Sequence, residues 1–263
     1  MYGRGKRGTV TRKNSRELEA MAQAGAVAAK ALQTALAVLV PGVSTLEVDQ
    51  AAEQAIREAG ALPSFKGFRG YPAATCVSIN DVIVHGIPSD KLIVHSGDIV
   101  GIDVGAYFEG GFHGDNAATK PIGEVSAEAR KLLQVTAEAL HLGIAQAVAG
   151  NTLKDISMAI QNHVEAHGYS AVRQLLGHGI GRRMHEPPQV PNYYQPGEFP
   201  EYDLRLRPGM TLAIEPMINI GGPEIVVDED GWTTRTADGS LSAHFEHTIA
   251  VTKHQPRILT PRT

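Results

Sequence analysis

Apolar residues recur every three or four positions in four segments of the chain, which predicts four amphipathic helices. The first pair covers residues 15–40 and a segment that ends at Gly60. The second pair covers residues 126–149 and a segment that ends at Gly168. In both pairs, the glycine that ends the second helix lies 18 positions after the glycine of the turn. One helix–turn–helix unit therefore recurs in the two halves of the chain.

The turns carry residue types that start and stop helices. Ser44 or Thr45 is expected to cap the second helix, and Thr152 the fourth, because a side-chain hydroxyl can accept from the free backbone N–H groups of the first turn. Gly60 and Gly168 suit the left-handed backbone conformation that commonly ends a helix.

A β-rich stretch follows each helix pair. Residues 97–103 and 209–215 both run from a turn glycine through a strand pattern to an acidic residue, Asp103 or Glu215. Residues 248–251 form a further clear strand. Two copies of a helix–helix–strands unit predict an α+β fold with internal pseudo-twofold symmetry, in which helices cover an antiparallel-rich sheet.

The composition fits one folded domain. Of the 263 residues, 43% are hydrophobic, and the net charge is only -4, which excludes a disordered chain. A single cysteine excludes a disulfide framework and a cysteine-rich zinc site. We expect one domain at 15–257, with halves at about 15–124 and 125–257, and a C-terminal tail at 258–263.

The N-terminus is basic, since six of the 24 lysine and arginine residues precede the first acidic residue, Glu17. We expect a flexible basic tail over residues 1–14. The alternative is a weak contact of this tail with RNA, for instance at a ribosome. The longest apolar run, residues 31–40, is too short to cross a membrane. We therefore expect a cytoplasmic monomer that makes no membrane contact.

Four acidic residues occupy corresponding positions in the two halves. If a twofold axis relates the halves, Asp103 is the counterpart of Glu215 and Asp115 the counterpart of Glu246, and all four point toward one spot. Four buried carboxylates require positive charge among them. No lysine or arginine adjoins these motifs in the sequence, whereas two divalent cations would balance the charge.

His178, in the glycine-dense segment 177–181, supplies a further ligand. Four carboxylates and one imidazole favour Mn, Fe, Co or Zn. Two such ions about 3.5–4 Å apart would share a water, lower its pKa and polarise a carbonyl. The residues alone thus predict metal-assisted hydrolysis.

These residues belong to a set of short motifs that resembles the type I methionine aminopeptidases, a family with the pita-bread fold. The likeness runs from about Ser15 to His254. Its motifs are residues 78–81, 85–88, 98–104, 111–115, 177–181, 185–188, 214–217 and 242–248. The resemblance implies a catalytic domain that removes the N-terminal methionine from peptides and nascent proteins whose second residue is small.

The resemblance also implies individual roles at the metal centre. Asp103 should be a terminal ligand of one ion, His178 and Glu215 should bind the other, and Asp115 and Glu246 should bridge both. Glu215 should also accept the proton of the shared water.

Further roles concern the substrate. His185 should contact the scissile carbonyl, and His85 the substrate backbone during proton transfer. The alternative for both is a loop histidine stacked on its proline. The methionine side chain should enter a pocket formed by Phe65, Phe68, Tyr71, Cys76, Met184 and Trp232. For Phe65 and Cys76, ordinary core packing is an equal alternative.

The resemblance also implies that a monovalent cation, Na or K, binds at Asn80, Val82 and Ser242. Two departures from the family pattern stand out. Asp103 and Asp115 are one residue further apart than expected, so a bulge or longer turn should lie near residues 109–111. His244 replaces a more usual glutamine, and we expect that neither departure touches a metal ligand.

Two other functions fit a chain of this kind. One is an X-Pro aminopeptidase or dipeptidase of the same fold. The other is a non-catalytic relative that binds peptides or RNA, which would be expected to lose metal ligands. All five predicted ligands are present in this sequence.

Overall fold

A computed structural model of the protein describes residues 9–108 and 110–262. It contains the four predicted helices, α1 (Ser15–Val38), α2 (Thr45–Glu58), α3 (Ala127–Ala145) and α4 (Leu153–Ala166). Two are shorter than predicted. The backbone leaves the helical region before Pro41, as expected for residues that precede a proline. After α3 the chain pairs with the strand region at Thr252.

The predicted helix boundaries in the two turns are confirmed. Ser44 and Thr152 are the N-caps of α2 and α4, and each backbone N–H donates to an acidic side chain three residues later. Gly60 and Gly168 follow the helices with φ angles of 75° and 78°. These left-handed angles are easy for glycine and strained for most other residues.

Fifteen strands lie among the other described residues. In chain order they are β1 (Leu62–Pro63), β2 (Thr75–Ile79), β3 (Val82–Val84), β4 (Ile99–Phe108), β5 (Phe112–Pro121), β6 (Ser170–Ala171), β7 (Gly177–Gly179), β8 (Glu186–Val190), β9 (Thr211–Ile214), β10 (Met217–Asn219), β11 (Ile225–Val227), β12 (Thr234–Thr236), β13 (Ser242–His244), β14 (Glu246–Ala250) and β15 (Arg257–Ile258). The main sheet has the order β1-β4-β5-β14-β9-β7-β8, with β2 beside β4 and β15 beside β14. Its pairings are antiparallel.

The four central strands of the main sheet are arranged symmetrically about its midline, with β4 and β5 from the first half of the chain on one side and β14 and β9 from the second half on the other. The strands β5 and β14 are neighbours, with Glu246 opposite Ala117, and β4 and β9 flank them. This order pairs β4 with β9 and β5 with β14 as counterparts. It is the relationship that the acidic motifs of the two halves predict.

The hairpin of β4 and β5 accommodates the extra residue in its turn. The pairing is continuous from Ile99 opposite Pro121 to Phe108 opposite Phe112, so the strands contain no bulge. The connection comprises residues 109–111, of which Glu109 lies outside the described residues.

Each half has its own hydrophobic core. Residues of α1 and α2 pack on β4 in the first half, and residues of α3 and α4 pack on β9 and β14 in the second. The helix α1 crosses β5 so closely that a Cβ at Gly114 would lie 2.6 Å from the backbone of Gly25. No helix among the described residues is long and apolar enough to cross a membrane.

Both predicted tails contain packed residues. The predicted flexible tail at residues 1–14 is packed at Lys13, whose ammonium is buried against Glu186 and the Ile180 carbonyl. Residues 1–8, which include three of the six basic residues that precede Glu17, lie outside the described part of the chain. At the other end, Leu259 and Thr260 are buried, since β15 pairs with β14.

Candidate metal centre and active site

The four predicted carboxylates come from four strands that meet in the middle of the sheet. The register places Gly105 opposite Asp115 and Asp103 opposite Ala117, so Asp103 and Asp115 share one face of the hairpin. Glu246 begins β14, and Glu215 follows directly after β9. One ligand atom each of Asp115, Glu246 and His178 lies within 4.8 Å of the other two.

His178 is held with one nitrogen turned to the carboxylates. Its Nδ1 lies 2.9 Å from the Gly179 carbonyl, which can only accept, so Nδ1 carries the proton of the neutral ring. The free electron pair is then on Nε2, which lies 3.5 Å from Glu215 Oε1 and 4.0 Å from Asp115 Oδ2. A backbone carbonyl that fixes the tautomer is a common support for a metal-binding histidine.

Burial makes this much negative charge unfavourable without a cation. Burial raises the pKa of Asp103, Glu215 and Glu246 well above the ordinary range, and the neighbouring carboxylates, Asp115 in each case, raise it further. Burial also raises the pKa of Asp115 to about 7. Oδ1 of Asp103 and Oε1 of Glu246 are buried without a hydrogen-bond partner. These oxygens and the free His178 Nε2 form a donor set that fits divalent cations.

A cationic side chain does lie beside the motifs, contrary to the expectation from the sequence. Arg262, near the C-terminus, donates to the Asn116 side chain at 2.8 Å, to the Glu246 carbonyl at 2.6 Å and to the Ala117 carbonyl. Its partners are the backbone and an amide of β5 and β14. The guanidinium therefore fastens the two ligand-bearing strands together without pairing with their carboxylates, whose pKa values remain raised.

His85 and His185 both lie close to this centre. The ring of His185 is 4.2 Å from that of His178 and stacks on Phe68 at 5.2 Å. The ring of His85 is 6.1 Å from that of Trp232, and its backbone has a φ of 60°. Burial lowers the pKa of His85 to about 4 and that of His185 to about 2, so both are neutral at pH 7.

The six residues of the predicted methionine pocket form one apolar cluster. Phe65, Tyr71, Cys76 and Met184 are buried in it, and Phe68 and Trp232 pack against them. Ala73 and Ile87 also belong to it, although neither was predicted to; Ile87 lies within the motif at residues 85–88, whereas nothing in the sequence marks Ala73. The Tyr71 hydroxyl lies 3.0 Å from the carbonyls of both Thr75 and Gly86 and shares its one proton between them, so its polar end is satisfied. Since Phe68 and Trp232 also contact His185 and His85, the cluster borders the predicted reaction site.

The three residues predicted to hold a monovalent cation lie near one another. Ser242 N–H donates to the Asn80 carbonyl at 3.0 Å, and Val82 begins β3 two residues later. The Asn80 side chain holds Ile99 and Asp98 through hydrogen bonds. Cation binding there stays a prediction.

The expectation that His244 touches no metal ligand is wrong. Its Nε2 lies 3.8 Å from Glu215 Oε2, and both side chains are largely buried. The chain order hides this contact, because 29 positions separate the residues in the sequence. It arises because β13 pairs with β10, which starts two residues after Glu215.

Two supporting residues were not predicted. Asn192 donates to the Glu215 carbonyl at 3.0 Å and so holds the backbone of this predicted ligand. Thr248 binds the backbone of Asp115 on both sides, since its hydroxyl accepts from the N–H and donates to the carbonyl, both at 2.9 Å. Thr248 lies within a recognised motif, whereas no feature of the sequence marks Asn192.

Comparisons with known proteins identify the family of the chain. The model of metallopeptidase family M24 matches residues 19–253. A methionine aminopeptidase of Clostridium acetobutylicum is 47% identical over 94% of this chain and 97% of its own. The crystal structure of methionine aminopeptidase from Thermotoga maritima matches 96% of this chain and 99% of its own, with a TM-score of 0.92 and 43% identity. A prolidase from Pyrococcus furiosus shares the fold at 24% identity and a TM-score of 0.77, and the match covers 66% of its length.

The fold and the carboxylate–histidine centre are those of a metallopeptidase. The chain belongs to metallopeptidase family M24. The predicted pita-bread fold and the resemblance to the type I methionine aminopeptidases are confirmed.

Proposed function

We propose that this protein is a methionine aminopeptidase that hydrolyses the bond after the N-terminal methionine of peptides and nascent polypeptides. The convergence of Asp103, Asp115, His178, Glu215 and Glu246 beside the apolar aromatic cluster carries this proposal. Metal-assisted hydrolysis needs the first feature, and selection of a thioether side chain is served by the second.

Two divalent ions, drawn from Co, Mn, Fe and Zn, are the proposed cofactors. Asp103 would hold one ion, His178 and Glu215 would hold the other, and Asp115 and Glu246 would contribute to both. When bound, such ions lower the pKa of a shared water and polarise the scissile carbonyl. The unpartnered oxygens of Asp103 and Glu246 support this assignment.

The protein's own groups bind and orient the substrate around that centre. Glu215 is the proposed proton acceptor for the attacking water, and its side chain, which is 14% exposed, is not sealed from the surroundings of the centre. His185 contacts the scissile carbonyl and His85 the substrate backbone. Since both rings are neutral, each can donate a hydrogen bond without placing a second positive charge beside the ions.

The methionine side chain enters the cluster of Phe65, Phe68, Tyr71, Cys76, Met184 and Trp232. A polarizable aromatic wall attracts sulfur, with about 0.3–1.5 kcal/mol for each such contact. The burial of Phe65 and Cys76 is also compatible with core packing alone. Substitution of a partly buried member, Trp232, separates binding from stability better than substitution of a fully buried one.

Peptides that differ only in the second residue test the substrate range. We expect the metal-loaded protein to release methionine from Met-Ala-Ser faster than from Met-Leu-Ser, because the resemblance to the type I methionine aminopeptidases implies a cramped site for the second residue. Chromatography of free methionine gives both rates. If neither peptide releases methionine, the methionine aminopeptidase proposal is refuted. If the two rates are equal, the proposed preference for a small second residue is refuted.

Counting bound ions tests the metal assignment independently of activity. The parent protein, dialysed against Mn²⁺, is expected to hold two ions per chain by elemental analysis, and the Asp103→Asn variant to hold fewer. Asp90→Asn is the matched control, because Asp90 is exposed. Its metal content should equal that of the parent. Equal occupancy in the Asp103→Asn variant would contradict the role of Asp103.

The rival functions make different predictions. An X-Pro peptidase would cleave an X-Pro dipeptide and leave Met-Ala-Ser intact, and the weaker match to the prolidase fold argues against it. A non-catalytic relative would bind no transition metal.

A Na or K ion at Asn80, Val82 and Ser242 is part of the proposed function. Ribosome contact through the N-terminus remains a prediction for residues 1–12, because Lys13 is occupied by Glu186.

A further inference from the structure

His244 lies in the wall of the metal centre, in a position that the backbone fixes tightly. The Thr119 hydroxyl of β5 accepts from the His244 N–H at 3.0 Å and donates to its carbonyl at 2.9 Å. The residue is 4% exposed. The sheet therefore sets where this imidazole is placed.

The ring nitrogen nearest the proposed site has no partner. Nε2 of His244 is buried without a hydrogen bond and lies 3.8 Å from Glu215 Oε2. The other oxygen of Glu215 lies 3.5 Å from His178 Nε2, so the carboxylate sits between two imidazoles. Leaving a buried polar group unpaired is unfavourable, which favours a use for this nitrogen.

We propose that His244 is a positioning residue that donates its Nε2 proton to Oε2 of Glu215 when the centre holds metal ions. The inference rests on the proposed metal centre. Charge-assisted hydrogen bonds of this type are about 2.7–2.9 Å long, so the two atoms need to approach by about 1 Å. Donation to Oε2 leaves Oε1, the oxygen beside His178, for the ion, and it fixes the orientation of the proposed proton acceptor.

Replacement of His244 tests this role through metal affinity. His244→Phe keeps the approximate size but removes the donor, and we expect the Kd for Mn²⁺ by titration calorimetry to rise about 10–100-fold. The visible spectrum of the Co²⁺-loaded variant should also differ from that of the parent. His244→Gln keeps an N–H donor and should restore both properties. His141→Phe makes the same change at an exposed position and should leave both unchanged.

The outcomes separate this inference from the proposed function. A parent protein that binds no ions would refute the metal centre itself. A parent that binds ions, together with an unchanged Kd and spectrum in His244→Phe, would refute only the role of His244. If that variant does not fold, nitrogen NMR of the histidine-labelled, Zn²⁺-loaded parent decides the matter. We expect the proton of His244 on Nε2, and a proton on Nδ1 with Nε2 bare would overturn the proposal.

Discussion

Replacement of Glu215 by glutamine is expected to lower kcat for methionine release by about 10²–10⁴-fold. Glutamine preserves the shape of the side chain but cannot accept a proton at this position. The carboxylate lies between His178 and His244, where no other acidic side chain of β9 or β10 can replace it. The change is measured as the initial rate of release from Met-Ala-Ser, with the ion content of each sample determined in parallel.

The matched control is Glu224→Gln, because Glu224 is an exposed residue of the same half of the chain. Its rate should equal that of the parent. Loss of a metal ligand and loss of a proton acceptor are separated by adding excess Mn²⁺. A Glu215→Gln protein that regains its full rate once its ions are restored would show that Glu215 binds metal but transfers no proton.

Replacement of Lys13 by methionine should lower the free energy of unfolding by about 3–5 kcal/mol. The Lys13 ammonium lies 2.9 Å from Glu186 Oε2, and each side chain is 6% exposed. Methionine fills the space of the lysine stem but leaves a buried carboxylate without its cation. Urea denaturation of the metal-free proteins measures the difference. In Lys13→Met/Glu186→Gln, part of the loss should be recovered, because the unpaired charge is also removed.

This loss should depend on pH. Burial alone would raise the pKa of Glu186, but hydrogen bonds from Lys13, Arg183 and Thr11 outweigh it, so the pKa lies below its usual value of 4.5. A carboxylate whose pKa is lower in the folded state stabilises that state at pH values above its unfolded-state pKa. This stabilisation is lost as the pH falls through the folded-state pKa. The difference between the parent and Lys13→Met should therefore be full at pH 7 and shrink below about 4.5. A difference that stays constant down to pH 3 would argue against the ion pair as its source.

The parts of this protein that could be predicted from sequence are those in which the signal is local. The N-cap Ser44 and the terminal Gly60 mark the boundaries of α2 directly, since capping acts within one helical turn. Similarly, Asp103 and Glu215 stand at matching places in two repeated strand motifs. That repetition was enough to predict which strands are counterparts in the sheet.

The parts that could not be predicted depend on contacts between distant positions. Lys13 and Glu186 are 173 positions apart, and Arg262 reaches Asn116 across 146 positions. Nothing near either cation in the sequence marks its partner, so both segments looked like ordinary tails. His244 was misjudged for the same reason, because the pairing of β13 with β10 brings it to Glu215.

The mirrored strand order at the middle of the sheet gives the proposed ions a mechanical role. Asp115 on β5 and Glu246 on β14, the two proposed shared ligands, lie on opposite sides of the line where the halves of the chain join. Neither half alone carries a full coordination sphere. Metal binding would thus stabilise the contact between β5 and β14, where the two halves join. Removal of the ions by a chelator should destabilise this contact before it destabilises either helix-covered core.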